Sequence, residues 1–226
     1  MSKSAVSIPV VVVGCSGHAR VVIDAIEEAG IYHIIGLLDS FKSPGSSSSK
    51  YQVIGTEEEL PTLWDSGACA MVIVAIGDNW IRGQLIARIR GLTPQVCLGT
   101  VVHPSATIAR NVSIGAGTVV MAGAVVNTGS RVGEGCILNT CCSLDHDCTM
   151  DDFSSLAPRT TTGGSVHIGA YSAISIGATI SHGRHIAEHT VVGACATVLH
   201  DIPAKTIAYG TPARVVRYRQ PDDPYL

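Results

Sequence analysis

From residue 102 to residue 198 every sixth residue is aliphatic, with one exception. The series runs Val102, Ile108, Ile114, Val120, Val126, Val132, Leu138, Leu144, Met150, Leu156, Thr162, Ile168, Ile174, Ile180, Ile186, Val192 and Val198, and only Thr162 departs. A period of six matches neither an amphipathic helix at 3.6 nor a two-sided strand at 2.0. It does match a chain that turns a corner every six residues, stacking short parallel strands about 4.8 Å apart up a prism. The position two before each aliphatic one must then also face inward. Small residues recur there, among them Ala106, Ala124, Ser130, Cys136, Cys142, Cys148, Ser154 and Ser172, with Arg184 as the misfit. Gly115, Gly133, Gly163, Gly169 and Gly193 directly follow the repeat position, where a sharp bend favours a residue without a β-carbon.

This pattern identifies a hexapeptide-repeat, left-handed parallel β-helix of three hexads per coil and about five and a half coils. Ahead of it the apolar run at residues 8–13 reads as a buried parallel strand ending in Gly14-Cys15-Ser16-Gly17-His18. A helix follows with Val21, Val22, Ala25, Ile26 and Ala29 on one face and Gly30 as its stop. Strand, glycine turn and helix open an α/β Rossmann-like unit, but the turn lacks the third glycine of a dinucleotide fingerprint, which argues against a redox role. Residues 34–38 form a second strand ending at Asp39, and the serine-rich stretch 42–50 reads as a flexible surface loop. Thr56 and Glu59 form a capping box. A strand at 71–76 stops at Gly77-Asp78-Asn79, ahead of a helix marked by Ile81, Leu85, Ile86 and Ile89. The expected domains are 1–98, a small α/β unit; 99–202, the β-helix; and 203–226, a turn-rich exit whose proline- and aspartate-containing tail frays.

Hydrophobic residues make up 46% of the 226, which is ample for a packed core. A net charge of -3 offers no basic footprint for nucleic acid. The apolar runs are too short to span a bilayer. The eight cysteines match no zinc pattern, three of them sit at inward repeat positions, and no signal peptide is legible, so the thiols read as reduced and the protein as cytoplasmic. His103, His167, His182, His185, His189 and His200 read as surface corner residues; no acidic or thiol partner completes a ligand set with His182, His185 and His189, so no metal is expected. His146 stands apart. It is flanked by Asp145 and Asp147, and at eighteen residues per coil it shares a column with Gly164 and His182. A base beside a bare backbone donor is what acyl transfer requires. Either neighbouring carboxylate could hold the imidazole tautomer.

The segments Asn139-Thr140, Asp145-His146-Asp147, Phe153-Ser154 and Gly164-Ser165-Val166-His167-Ile168-Gly169 resemble those of bacterial sugar-nucleotide N-acetyltransferases of the bacillosamine, viosamine and perosamine type. Sialic acid O-acetyltransferases share the layout. The resemblance spans nearly the whole chain. It implies acetyl-CoA as co-substrate, a nucleotide-linked 4-amino sugar, UDP in preference, as acceptor, and a homotrimer with active sites between subunits. It implies His146 as general base, supported by Asp147, with Asn139 beside the substrate. It assigns Gly14, Ser16, Gly17 and His18 to the diphosphate and sugar, Asp39 and Lys42 to the nucleobase, and Gly77, Asn79 and Arg82 to a second loop at the strand edge. Two of these have plainer readings: His18 could cap its helix and Arg82 could be a solvated helix charge. Ser155, Gly164, Gly169, Ser175 and Gly193, with Gly210, Pro212, Ala213 and Arg214 of the exit segment, are implied along acetyl-CoA. Ser155 stands where some relatives carry a second histidine.

The mechanism expected is direct attack of the unprotonated sugar amine on the thioester, with His146 taking the proton. A route through an acylated Cys141 or Cys142 is the alternative, although Cys142 reads as an interior filler. O-acetylation of a free sugar, or a non-catalytic sugar-nucleotide-binding trimer, remain the competing functions.

Overall fold

A computed structural model describes residues 7–225. The first six residues and Leu226, which the domain reading includes at its two ends, lie outside the described residues. The first half is a five-stranded sheet in the order β3-β4-β2-β1-β5. Its centre is β1 (Ile8–Val13), whose Val10 to Val13 run is wholly buried, paired in parallel with β2 (Tyr32–Leu38) and β5 (Met71–Val74). Helix α1 (Gly17–Ala29) buries Ala19, Val22, Ile23, Ala25 and Ile26, a stripe at helical spacing, and ends on Gly30 in the left-handed region. Val21, expected on that face, is 44% exposed, because the stripe is centred on Ile23.

Two local readings are corrected. The serine stretch is not a free loop: β3 (Ser47–Ser48) pairs antiparallel with β4 (Tyr51–Gly55), and Ser48 is buried. Nor does the capping box form. Thr56 Oγ1 does accept from the Glu58 N–H, but the Glu59 N–H donates to the Thr56 carbonyl in a tight turn before the short α2 (Leu60–Asp65). Helix α3 (Asn79–Leu92) completes the domain, capped by the Asp78 carboxylate accepting from the Ile81 N–H at 2.9 Å.

The second half is the left-handed parallel β-helix. Strands β6 (Val101–Val102) to β22 (Thr197–Val198) have two residues each and follow at six-residue intervals. They fall on three faces: strands β6, β9 and β12 and their successors on the first, β7, β10 and β13 on the second, β8, β11 and β14 on the third. The aliphatic column and the small inward residues fill one continuous core. A hairpin of β23 (Thr206–Gly210) and β24 (Ala213–Tyr218) closes the first face. The repeat glycines are required for a reason other than the bend. The left-handed backbone lies at residues 111, 117, 123 and onward in steps of six to 195, two positions later than Gly115, and is occupied by Asn111, Cys141, Asp147, Phe153, Ser165 and Tyr171 as well as by glycines. At Gly115, Gly163 and Gly169 a β-carbon would instead run into the backbone of the next coil, at Gly133, His182 and Glu188. Close stacking demands them.

The halves share a core: Val101, Val119, Met121 and Ile137 of the first face pack with α1 and β1. At the edge between third and first faces, Phe153, Tyr171 and His189 stack one coil apart, with ring centroids at 5.0 and 4.8 Å, and Trp80 of α3 leans on Tyr171. His189 is therefore not a surface corner residue, and burial holds its imidazole below the ordinary value. The tail does not fray within the described residues: Arg219 is 5% exposed and donates to the carbonyls of His189 and Asp223, and the Asn79 N–H donates to the Tyr225 hydroxyl at 2.7 Å. Among the described residues no helix is long and apolar enough to cross a membrane.

Candidate active site

The edge between the second and third faces carries Asp145, His146, Asp147 and Cys148. Asp147 takes the left-handed turn conformation, φ 57°, and its Oδ2 lies 2.9 Å from His146 Nδ1. A carboxylate there accepts the Nδ1 proton and leaves the lone pair on Nε2. The hydrogen bond to Asp147, together with the Asp145 charge, raises the His146 pKa above its usual value. Asp145 acts on the backbone: its Oδ1 accepts from the His146 N–H at 2.8 Å and from Asn127 Nδ2 at 2.9 Å, and these bonds hold it below the usual carboxylate range. The ring is solvent-facing, with 55% of the side chain exposed, so its base form is accessible to a ligand. Gly164 lies directly beneath it, and any β-carbon there would collide with Cε1 and Nε2 of the imidazole. The Gly164 carbonyl accepts from Gly183, while its N–H donates to no described residue. A base and an unengaged peptide donor thus meet at one exposed edge.

An apolar cavity of about 410 Å³ lies elsewhere, between the first face and the α/β domain. His18, Gly77, Asn139, Ser155, Ser175 and Tyr225 line it. His18 Nε2 is enclosed without a hydrogen-bond partner, and burial, then the Arg82 charge, pushes its pKa down to about 4. It is a neutral imidazole at the wall of a cavity and does not cap α1. Gly14 and Asp39 line a separate recess of about 250 Å³ with Ser40, Phe41, Gln84 and Arg88. Asp39, expected to meet a nucleobase, has both oxygens engaged, accepting from the N–H groups of Cys15 and Phe41 at 2.8 Å each. It pins the glycine turn to the end of β2. Lys42 lies on the far side of that turn, in a polar recess with Arg20 and the serine hairpin, and Ser16 and Gly17 are exposed.

Several expected ligand contacts are displaced by protein contacts. Arg82 is 1% exposed rather than a solvated charge, and donates to the carbonyls of Gly135, Ile76, Gly77 and Phe153 and to Asn79 Oδ1. Asn79 is fully buried, its Nδ2 donating to Ser155 Oγ and the Ser172 carbonyl. Both residues bolt α3 to the β-helix and leave no polar atom for a substrate. Gly169 and Gly193 are buried against Glu188 and the Tyr209 ring, and Ala213 is in the β-helix core. Gly210, Pro212 and Arg214 remain exposed on the exit hairpin. Cys142 is fully buried and its thiol is pushed up to about 12, which removes it as a nucleophile; Cys141 is exposed. No cluster of metal-ligating side chains occurs among the described residues. The sequence reading missed Asn127, whose signal is its place one coil before Asp145, and Tyr225, which no local pattern marks.

Residues 9–89 match the family model described as the PglD N-terminal domain. The chain is 31% identical over 111 residues to the UDP-N-acetylbacillosamine N-acetyltransferase of Bacillus subtilis (strain 168), across 49% of this chain and half the length of that relative. Its fold is similar to PerB from Caulobacter crescentus, solved in complex with CoA and GDP-perosamine, with a TM-score of 0.86, 33% identity and coverage of 92% of this chain and 96% of that one. The acetyltransferase domain of PglB from Neisseria gonorrhoeae, solved with acetyl coenzyme A, gives a TM-score of 0.86 at 34% identity, covering 93% and 100%.

Proposed function

Because the chain belongs to the family of sugar-nucleotide N-acetyltransferases, we propose that it transfers the acetyl group of acetyl-CoA to the amino group of a nucleotide-linked 4-amino-dideoxy sugar. The observation that carries this reading is the His146 imidazole, oriented by Asp147 and seated over Gly164 at an exposed edge. In the proposed mechanism the neutral sugar amine attacks the thioester carbonyl. His146 Nε2 accepts the proton released from the amine, the Gly164 N–H donates to the developing oxyanion, and CoA leaves as the thiol or thiolate. Among the described residues no base is hydrogen-bonded to the Cys141 thiol, which favours direct transfer over an acyl-enzyme.

A homotrimer is part of the proposal, and the placement of the two sites supports sharing between copies. His146 sits on one edge of the prism, whereas the cavity walled by His18, Asn139 and Tyr225 sits by the first face, so a single chain does not present both to one ligand. A neighbouring copy can bring its His146 edge to that cavity. UDP is the preferred nucleotide and GDP the runner-up; the similar proteins include a UDP-sugar and a GDP-sugar enzyme. Use of acetyl-CoA together with free thiols favours the cytoplasm as the compartment.

The test is thiol release from acetyl-CoA with UDP-, dTDP- and GDP-linked 4-amino sugars, with free sialic acid in parallel. Turnover of a nucleotide-linked amino sugar is expected; turnover of sialic acid alone overturns the reading. His146→Ala is expected to slow the reaction by about two to four orders of magnitude, the worth of a positioned base.

A further inference from the structure

The exception in the aliphatic series coincides with a break in the ladder. Along the β-helix the N–H that follows each repeat position donates to the carbonyl of the repeat residue one coil ahead: Asn127 to Leu144, Gly133 to Met150, Asn139 to Leu156, Asp151 to Ile168, Ala157 to Ile174. The bond recurs at every sixth residue from His103 to Ser181 except at Asp145. There the N–H donates instead to the side-chain hydroxyl, Thr162 Oγ1, at 3.0 Å. The strand pairing records the same fault. The neighbouring strands pair through both residues, but Ser143–Leu144 meets Thr161–Thr162 only through Ser143 and Thr161. Thr162 is 3% exposed, within an otherwise aliphatic column, so no solvent contact calls for a hydroxyl.

We propose that Thr162 is a positioning residue for the catalytic turn, its hydroxyl replacing the main-chain acceptor beneath Asp145 and so setting where Asp145, His146 and Asp147 stand above Gly164. This deepens the acetyltransferase reading and rests on it for its effect on rate. The links are short. Thr162 Oγ1 holds the Asp145 N–H, Asp145 Oδ1 holds the His146 N–H, and the His146 carbonyl accepts from Ser165 at 2.9 Å, beside Gly164. Valine has nearly the shape of threonine and suits the column, but it offers Asp145 no acceptor. The N–H must then reach for the carbonyl of residue 162, as its counterparts do, carrying the turn with it. Every other member of the column is aliphatic, and Thr162 alone places a hydroxyl there.

The test compares Thr162→Val with Thr162→Ser. Valine is expected to lower kcat about ten- to a hundred-fold, the cost of a displacement on the order of 1 Å at a reacting group. KM for both substrates should stay within about two-fold, and Tm should hold or rise, because a core aliphatic replaces a hydroxyl. Serine, which keeps the acceptor, should restore most of kcat. A crystal structure of Thr162→Val should show the Asp145 N–H on the carbonyl of residue 162 and the 145–147 turn shifted. Wild-type kcat in Thr162→Val, or a kcat loss that Ser does not restore and that accompanies a fall in Tm, overturns the proposal. Should the wild type turn over no amino sugar, the acetyltransferase reading fails. The Thr162→Val structure then still decides: a regular ladder and moved turn support the positioning role, and an unmoved turn overturns it.

Discussion

Two polar clusters sit on different edges of this prism, and in sequence they look alike. One gathers Asp145, His146 and Asp147; the other sets Asn79 and Arg82 of α3 against the edge between the third and first faces. At the first, His146 is solvent-facing, anchored through Nδ1, and left with one nitrogen and a neighbouring peptide N–H unengaged. At the second, Arg82 and Asn79 are sealed from solvent with their donors and acceptors answered by carbonyls and hydroxyls of the β-helix. A charged or amide side chain at a domain junction therefore signals chemistry only when something on it is left unanswered. Here the saturated cluster holds the two halves together and the unsaturated one can act.

The contrast is open to direct attack. Its strongest expected effect is at Arg82. Replacing it with Met strips the guanidinium from four carbonyls and from Asn79, and should cost about 3–5 kcal/mol of stability, read as a large drop in Tm. If Arg82→Met instead keeps its Tm and loses only sugar-nucleotide affinity, the residue belongs to the ligand and the contrast collapses. His18, within reach of the Arg82 charge, predicts a pH effect. Its folded pKa of about 4 lies below the unfolded value of 6.5, so the folded state binds fewer protons. Its contribution is present in full above pH 6.5 and is lost as the pH falls toward 4, to the extent of about 3 kcal/mol. Urea unfolding at pH 7 and pH 4.5 should show a smaller acid loss in His18→Gln than in the wild type. The smallest effect is at the tail. Tyr225→Phe removes the acceptor for the Asn79 N–H and should cost about 1 kcal/mol by the same measurement.

The β-helix is legible in the sequence because its spacing repeats over many coils, so a single local exception such as Thr162 stands out against the background. The turn around His146 is legible for the same reason: column arithmetic puts His146 over Gly164 before any coordinate is known. What escapes is whatever depends on contact between distant segments. Arg82 reads as a helix charge because the helix pattern carries no trace of Gly135 and Phe153, which accept its hydrogen bonds. Phe153, Tyr171 and His189 stand at corner positions and look like surface until α3 covers them. The tail has the composition of a frayed end, yet Arg219 and Tyr225 find partners far back in the chain. Asp39 does stand at the strand end, but its role is hidden from the sequence, since both its oxygens answer local N–H groups.

The central claim is that His146, held by Asp147, is the base. The direct measurement is the pH profile of kcat/KM for acetyl transfer in the wild type and in Asp147→Asn. Because Asp147 raises the imidazole pKa, the acid limb of the wild type should lie above 6.5 and should shift to lower pH in Asp147→Asn, with a lower plateau. An acid limb that stays in place when Asp147 is changed, or that survives in His146→Ala, would contradict the account.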